Sequence, residues 1–273
     1  MMSIKKIIMV ILFILLVYPD NIFAIKEKDL KFGYYVDRVI TTSNSFILDP
    51  ELNKRVTEIG NKIGKASGDY GLNYTFRIVN DQVVNARCAS GGFIYINTGL
   101  LDIVESKDEL AGIIGHEIAH ANMRHQVRFL NSSYRKAKTV SIVTNTIGTA
   151  ASIAGAGAII GALGTSVAAE LCIHTSDALI SEFFSTIGGA VAQGWITGYG
   201  KKQEIEADSL AIKYMAKVGY DPNAMVNFFK KLVKIRNKLK SDNLPCGSNL
   251  INSEPGLEER IENIEGLITK TSK

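Results

Sequence analysis

Hydrophobic positions along the chain follow three kinds of pattern, and each predicts a different element. Behind Lys5 and Lys6, the run from Ile7 to Val17 is apolar throughout, and Tyr18, Pro19, Asp20 and Asn21 end it. A spanning helix needs about 20 apolar residues, so this shorter run with a basic start predicts a signal peptide over 1–24, with Ala24 at the cut. Ile22 is not small, which leaves an uncleaved anchor as the alternative. The second pattern has helical spacing. Leu52, Val56, Ile59 and Ile63 follow Asp49-Pro50 and predict an amphipathic helix over about 50–66. Ser106 with Glu109 predicts a capping box that opens a helix running to near Asn131. Lys201 to Gly219, the stretch after Asp221-Pro222, and the stretch after Pro255-Gly256 predict three more helices. Between the first two helices, Tyr74–Val79 alternates and is rich in β-formers, and Gly91-Gly92 leads into the FIYIN strand at 93–97. Many helices and few strands predict an α+β fold, mainly helical, with a small β-sheet near 74–97.

The third pattern is a block without charge. Residues 139–169 contain no Asp, Glu, Lys or Arg, and neither does 183–200. Ala154, Gly157, Ala158 and Gly161 put small residues at the four-residue spacing that lets helices pack closely. The block at 139–200 therefore reads as an insert of buried or interface-lying helices in a domain over 25–273. A membrane span or membrane-contacting hairpin is the alternative.

Composition narrows the function classes. A length of 273 residues, 46% hydrophobic content and a mean hydropathy of +0.10 exclude general disorder. The net charge of +4 is too mild for a nucleic-acid partner, which calls for a clustered basic face. Cys88, Cys172 and Cys246 are too scattered for a thiolate zinc site. Cys172 with Cys246 is the expected pair if one forms. Of the four histidines, His116, His120 and His125 fall within ten residues and His174 stands apart.

His116-Glu117-Ile118-Ala119-His120 lies within the capped helix. Residues four apart on a helix share a face, so both imidazoles can bind one zinc ion through neutral nitrogens. Glu117 is placed to act as general base toward an attacking water. His125, extrapolated along the same helix, points to the opposite side and is expected to cap or pack. The third ligand must come from elsewhere, and QEIEAD at 203–208 offers it. Glu204 and Asp208 share a face, so one can bind zinc while the other accepts a hydrogen bond from a ligand histidine. Glu206 points away and reads as solvated.

Four segments carry a resemblance: NARCASGGFIYINTGLL (85–101), ELAGIIGHEIAHANMRH (109–125), EIEAD (204–208) and PGLEERI (255–261). On these the chain resembles the zinc metallopeptidases of the CAAX prenyl protease, HtpX and BepA type, the forty-eighth metallopeptidase family, gluzincin in kind. The likeness is nearest to the soluble periplasmic branch without a tetratricopeptide extension. The resemblance implies a zincin-like metalloprotease fold holding one Zn2+ per chain through His116, His120 and Glu204. It makes Glu117 the catalytic base and Asp208 the carboxylate behind a ligand histidine. It also implies that strand 93–97 is a sheet edge receiving substrate, which makes Phe93 and Tyr95 candidate substrate contacts. Arg260 matches the family's arginine, and either a substrate contact or a surface ion pair is expected there. Where periplasmic relatives carry a histidine before the proline of the last motif, this chain has Glu254. The implied function is a zinc endopeptidase of the periplasm or cell envelope, acting on unfolded or misassembled envelope polypeptides, with membrane contact through 139–200 as a further expectation. The alternative is a chaperone or assembly factor with a membrane- or partner-contacting hairpin, whose zinc site is vestigial or closed, by Glu254 or His174 for example.

Overall fold

The computed structural model describes residues 30–68 (except 32, 35, 39 and 43), 71–128, 199–242 and 256–271. The expected signal peptide, Cys172, Cys246, His174, Glu254 and nearly all of the 139–200 insert lie outside the described residues.

Helix α1, Pro50–Ser67, starts where Asp49 Oδ1 accepts the backbone N–H groups of Glu51 and Leu52 at 2.9 and 3.1 Å. Those donors would otherwise lack partners, and Pro50 has none to lose. The face carrying Val56, Ile59 and Ile63 is buried, as its spacing predicts.

Three strands follow: β1 (Thr75–Val79), β2 (Ala86–Ala89) and β3 (Phe93–Asn97). Their order is β1-β3-β2, with β3 parallel to β1 and antiparallel to β2. This corrects the expectation for 93–97, which is the central strand and not an edge. The strand missed in the sequence is β2, four residues reading ARCA, too short and too irregular to show alternation. Gly91 and Gly92, at φ 81° and 91°, make the tight reversal that folds β2 back onto β3.

Alternation along β3 sorts its side chains. Ile94 and Ile96 join the main core with Ile114 and Ile118. Phe93 and Tyr95 point to the other face, packed with Val36 and Ile40 from the helical stretch between 30 and 42. Asp37 of that stretch accepts hydrogen bonds from Arg77 Nε and Nη2 and from the Tyr95 hydroxyl, at 2.8, 2.9 and 2.7 Å. The side chains of Phe93 and Tyr95 are thus covered by the protein itself, a correction to their reading as substrate contacts.

Helix α2, Lys107–Asn122, is capped by Ser106 Oγ, which accepts from the Glu109 N–H at 3.0 Å. It is buried on every side from Glu109 to Asn122. Its main neighbour is α3 (Lys201–Lys217), and α1 and β2 also pack on it. Gly115 allows close approach, since a Cβ there would meet Ala211 at 3.4 Å. Helix α4 (Asn223–Ser241) and α5 (Leu257–Thr271) pack together and close the far side. Among the described residues no helix is long and apolar enough to cross a membrane.

Gly99 secures the chain just after β3. A Cβ there would lie 2.0 Å from the Gln82 carbonyl oxygen, which is backbone and cannot step aside alone. Gly99→Ala is expected to destabilise the fold by about 1–3 kcal/mol, read as a lower midpoint in thermal unfolding.

Candidate metal centre

The helix that carries His116 and His120 is buried, so both imidazoles sit in a space from which water is largely excluded, and their Nε2 atoms lie 2.9 Å apart. Glu204, in the first turn of α3, brings Oε2 to 3.4 Å from His116 Nε2 and Oε1 to 3.6 Å from His120 Nε2. One ligand atom from each of the three residues lies within 4.8 Å of the others. A tetrahedral ion with bonds of about 2.0–2.1 Å separates its ligands by about 3.3–3.4 Å, and the three separations bracket that figure. The donor set also fits by charge. With both imidazoles neutral, the depressed carboxylates of Glu204 and Asp208 outnumber the buried guanidinium of Arg260 that pairs with them. A dication offsets the remaining negative charge.

Asp208 is one turn after Glu204, and its Oδ1 lies 2.8 Å from His116 Nδ1. Arg260 reaches the same carboxylate from α5. Its Nε donates to Asp208 Oδ2 at 2.8 Å and its Nη2 to Oδ1 at 2.7 Å, while Nη1 is 3.1 Å from Glu204 Oε2. Arg260 is 0% exposed and lies over the Phe229 ring at 4.5 Å. It is a buried ion pair inside the centre, not the surface pair expected as one of its two readings.

These contacts set the proton affinities. Burial would raise the Glu204 carboxyl, but Arg260 and the two histidines outweigh it and hold the group down at about 2. Asp208 is likewise lowered, because Arg260 and His116 win over burial. Burial pulls His116 down, yet its hydrogen bonds to Asp208 and Glu204 lift it to about 9. His120 goes the other way, well below its ordinary value, through burial and the charge on His116. The two imidazoles are thus driven in opposite directions, His116 by its carboxylate partners and His120 by burial. Glu117 is raised to about 7, chiefly by burial.

Helix α2 stops at Asn122, and Arg124 turns the chain with φ 57°. This corrects the helix predicted to Asn131, and with it the position of His125. The turn swings His125 back beneath His120, where the two Nδ1 atoms are 2.7 Å apart. His125 Nε2 is 3.1 Å from Glu206 Oε2, and Arg128 Nη1 is 3.8 Å from the same oxygen. Glu206 is therefore paired and not simply solvated. Burial lowers the His125 pKa despite Glu206.

Two more groups border the centre. The Tyr199 ring stacks on His120 with centroids 4.2 Å apart, and its hydroxyl is 3.8 Å from Cys88 Sγ. Cys88 is buried and unpaired, and burial pushes its thiol pKa well up. The backbone of Cys88 lies toward the Glu117 carboxyl and works against the upward push of burial. In the ladder of β2 with β3, Asn97 N–H donates to Asn85 C=O at 3.0 Å. Alternation along an antiparallel pair then turns the backbone groups of Ala86 and Cys88 away from β3. The outer edge of β2 thus faces Glu117.

The family profile described as Peptidase family M48 matches residues 50–268. The chain belongs to peptidase family M48. The resemblance read from HEIAH, EIEAD and PGLEERI is borne out. Over 206 residues the chain is 31% identical to a protein of Vibrio cholerae serotype O1 provisionally named a beta-barrel assembly-enhancing protease. It is 25% identical over the same length to the beta-barrel assembly-enhancing protease of Escherichia coli K12. Each match covers 76% of this chain and 38% of the relative, so the chain spans well under half the length of these curated relatives. Metalloprotease LoiP of Escherichia coli K12 is 27% identical over 214 residues, 78% of this chain and 69% of LoiP.

In this M48 domain the residues singled out by sequence divide cleanly. His116, Glu117, His120, Glu204, Asp208 and Arg260 come together, while Phe93 and Tyr95 lie on the opposite face of the sheet. Sequence reasoning missed Tyr199, the Cys88 backbone, and the partnership of His125 with Glu206. The last had a signal: a basic, polar Asn-Met-Arg-His run after the motif is a poor continuation for a fully buried helix. Tyr199 had none beyond its place just before α3.

Proposed function

We propose that this M48 domain is a zinc-dependent endopeptidase of the periplasm or cell envelope that cleaves unfolded or misassembled envelope polypeptides. The observation that carries the reading is the convergence of His116 Nε2, His120 Nε2 and Glu204 on one point, with the buried Glu117 beside them. One zinc ion per chain would be held by those three side chains, supplying Lewis acidity toward the scissile carbonyl. Glu117 takes the proton of the attacking water and passes it to the departing amine. Its carboxyl, raised to about 7, is suited to both halves of that transfer near neutrality. Asp208 orients His116, and Arg260 holds Asp208 and Glu204 in their ionised forms.

Substrate would lie along the outer edge of β2, adding a strand whose main chain pairs with the outward groups there. That mode needs an extended chain, which folded proteins seldom offer and unfolded ones do. The expected signal peptide and the relatives named for beta-barrel assembly support this reading of location and substrate class.

Chelating the metal is expected to stop cleavage of unfolded casein, and one equivalent of zinc to restore it. Unchanged cleavage by protein shown to be metal-free overturns the reading.

A further inference from the structure

His116 is oriented by a carboxylate; His120 has another imidazole in that place. His120 Nδ1 and His125 Nδ1 are 2.7 Å apart, so one hydrogen lies between them and one nitrogen must accept. The choice is made on the far side of His125. Its Nε2 is 3.1 Å from Glu206 Oε2. The Glu206 oxygen accepts, so His125 directs its N–H from Nε2 toward it and presents the Nδ1 lone pair to His120. His120 must then carry its hydrogen on Nδ1, which leaves the Nε2 lone pair aimed at His116 Nε2 and Glu204.

We propose that His125 and Glu206 are positioning residues, a hydrogen-bond relay that locks His120 in its metal-binding tautomer. The inference rests on the reading of His116, His120 and Glu204 as a zinc site. The packing suits a fixed relay. His125 is 0% exposed and meets the His120 ring at its Nδ1 edge while Tyr199 stacks on a face, so the imidazole is confined. The relay is also built by an unusual backbone feature. Arg124 at φ 57° is the single non-glycine residue with positive φ among the described residues, and its turn is what delivers His125 to His120. A left-handed residue at a non-glycine position costs stability and persists where its surroundings demand it. Glu206 ends the relay at the surface, its side chain 38% exposed and paired with Arg128.

The test compares the zinc-binding affinity of the full chain with that of four variants, by competition against a chromogenic chelator. The nitrogen-15 resonances of His120 and His125 are recorded on the same samples. His125→Phe keeps the ring's bulk but removes the acceptor, and Glu206→Leu frees His125 to reverse its hydrogen. Both are expected to lose about ten- to a hundredfold in zinc affinity, the usual effect of removing a ligand's outer partner. His125→Gln and Glu206→Gln each restore an accepting oxygen and are expected to stay near the wild type. In the wild type the resonances are expected to report hydrogen on His120 Nδ1 and His125 Nε2. A packing role gives the opposite order, with Phe at 125 tolerated and Gln not. That order, or unchanged affinity in Glu206→Leu, overturns the relay. Glu206 is partly exposed, so its variants fold even where those at 125 do not. A wild type that binds no zinc overturns the zinc reading itself, a result distinct from equal binding by wild type and variants.

Discussion

Replacing Glu117 by Gln is expected to leave zinc bound and to slow casein cleavage by about 10²–10⁴-fold, the usual contribution of a positioned acid–base group. Glutamine matches the carboxylate in size, so the buried pocket stays filled. What it loses is the ability to take and return a proton. Glu117 is not among the three converging ligand residues, so metal content is expected to remain at one per chain. Stability provides an independent reading in the metal-free protein. Burial raises the Glu117 carboxyl from its ordinary value of 4.5 to about 7. A carboxyl with a raised folded pKa favours the fold below its unfolded pKa, and that advantage fades as pH rises through the folded value. Metal-free Glu117→Gln is therefore expected to gain stability over the wild type between pH 5 and pH 8. An equal difference at both pH values contradicts the buried, disfavoured carboxylate. Full cleavage by the zinc-loaded variant contradicts its role as base.

Arg260→Met is expected to cost about 3–5 kcal/mol in denaturant unfolding at neutral pH, the loss typical of removing one partner from a buried ion pair. The side chain is 0% exposed and holds Asp208 through two nitrogens and Glu204 through the third. Without it two buried carboxylates are left with the His116 imidazole beside them in the metal-free protein. Arg260→Lys is not expected to rescue the loss, because an ammonium cannot reproduce the planar fork. The pH dependence has a definite sign. Glu204 and Asp208 are both depressed, so their stabilisation is present above the ordinary carboxylate range and is lost as pH falls toward about 2 for Glu204. The gap between wild type and Arg260→Met should therefore narrow in acid. A loss below 1 kcal/mol at neutral pH, with no narrowing, contradicts the assignment of Arg260 to the centre.

The parts of the centre that could be read from sequence are those fixed by helical spacing. His116 with His120, and Glu204 with Asp208, are each four apart, and a helix puts such pairs on one face whatever surrounds them. The same rule misled at His125, because it was applied past Asn122, where the helix has ended and Arg124 has turned the chain. Periodicity does not announce a single left-handed residue. The sheet failed for a different reason. Strand β3 reads clearly as a strand, but its place at the centre depends on pairing with β2, a four-residue segment with no pattern of its own. Misplacing the edge by one strand also put the substrate against Phe93 and Tyr95, which face away from α2. Arg260 could be matched by motif, but its burial follows from how α5 packs against α3 and α4, and no local pattern encodes that. Tyr199 belongs to the same class, a contact made by tertiary packing alone.

The central claim is that His116, His120 and Glu204 hold one catalytic zinc ion. Diffraction from zinc-loaded crystals on either side of the zinc absorption edge tests it most directly. The expected result is one anomalous peak per chain at about 2.0–2.2 Å from His116 Nε2, His120 Nε2 and a Glu204 oxygen, with Asp208, Arg260 and His125 behind the ligands. A peak bonded instead to His125 or Asp208, or no peak between the two motif histidines, contradicts it.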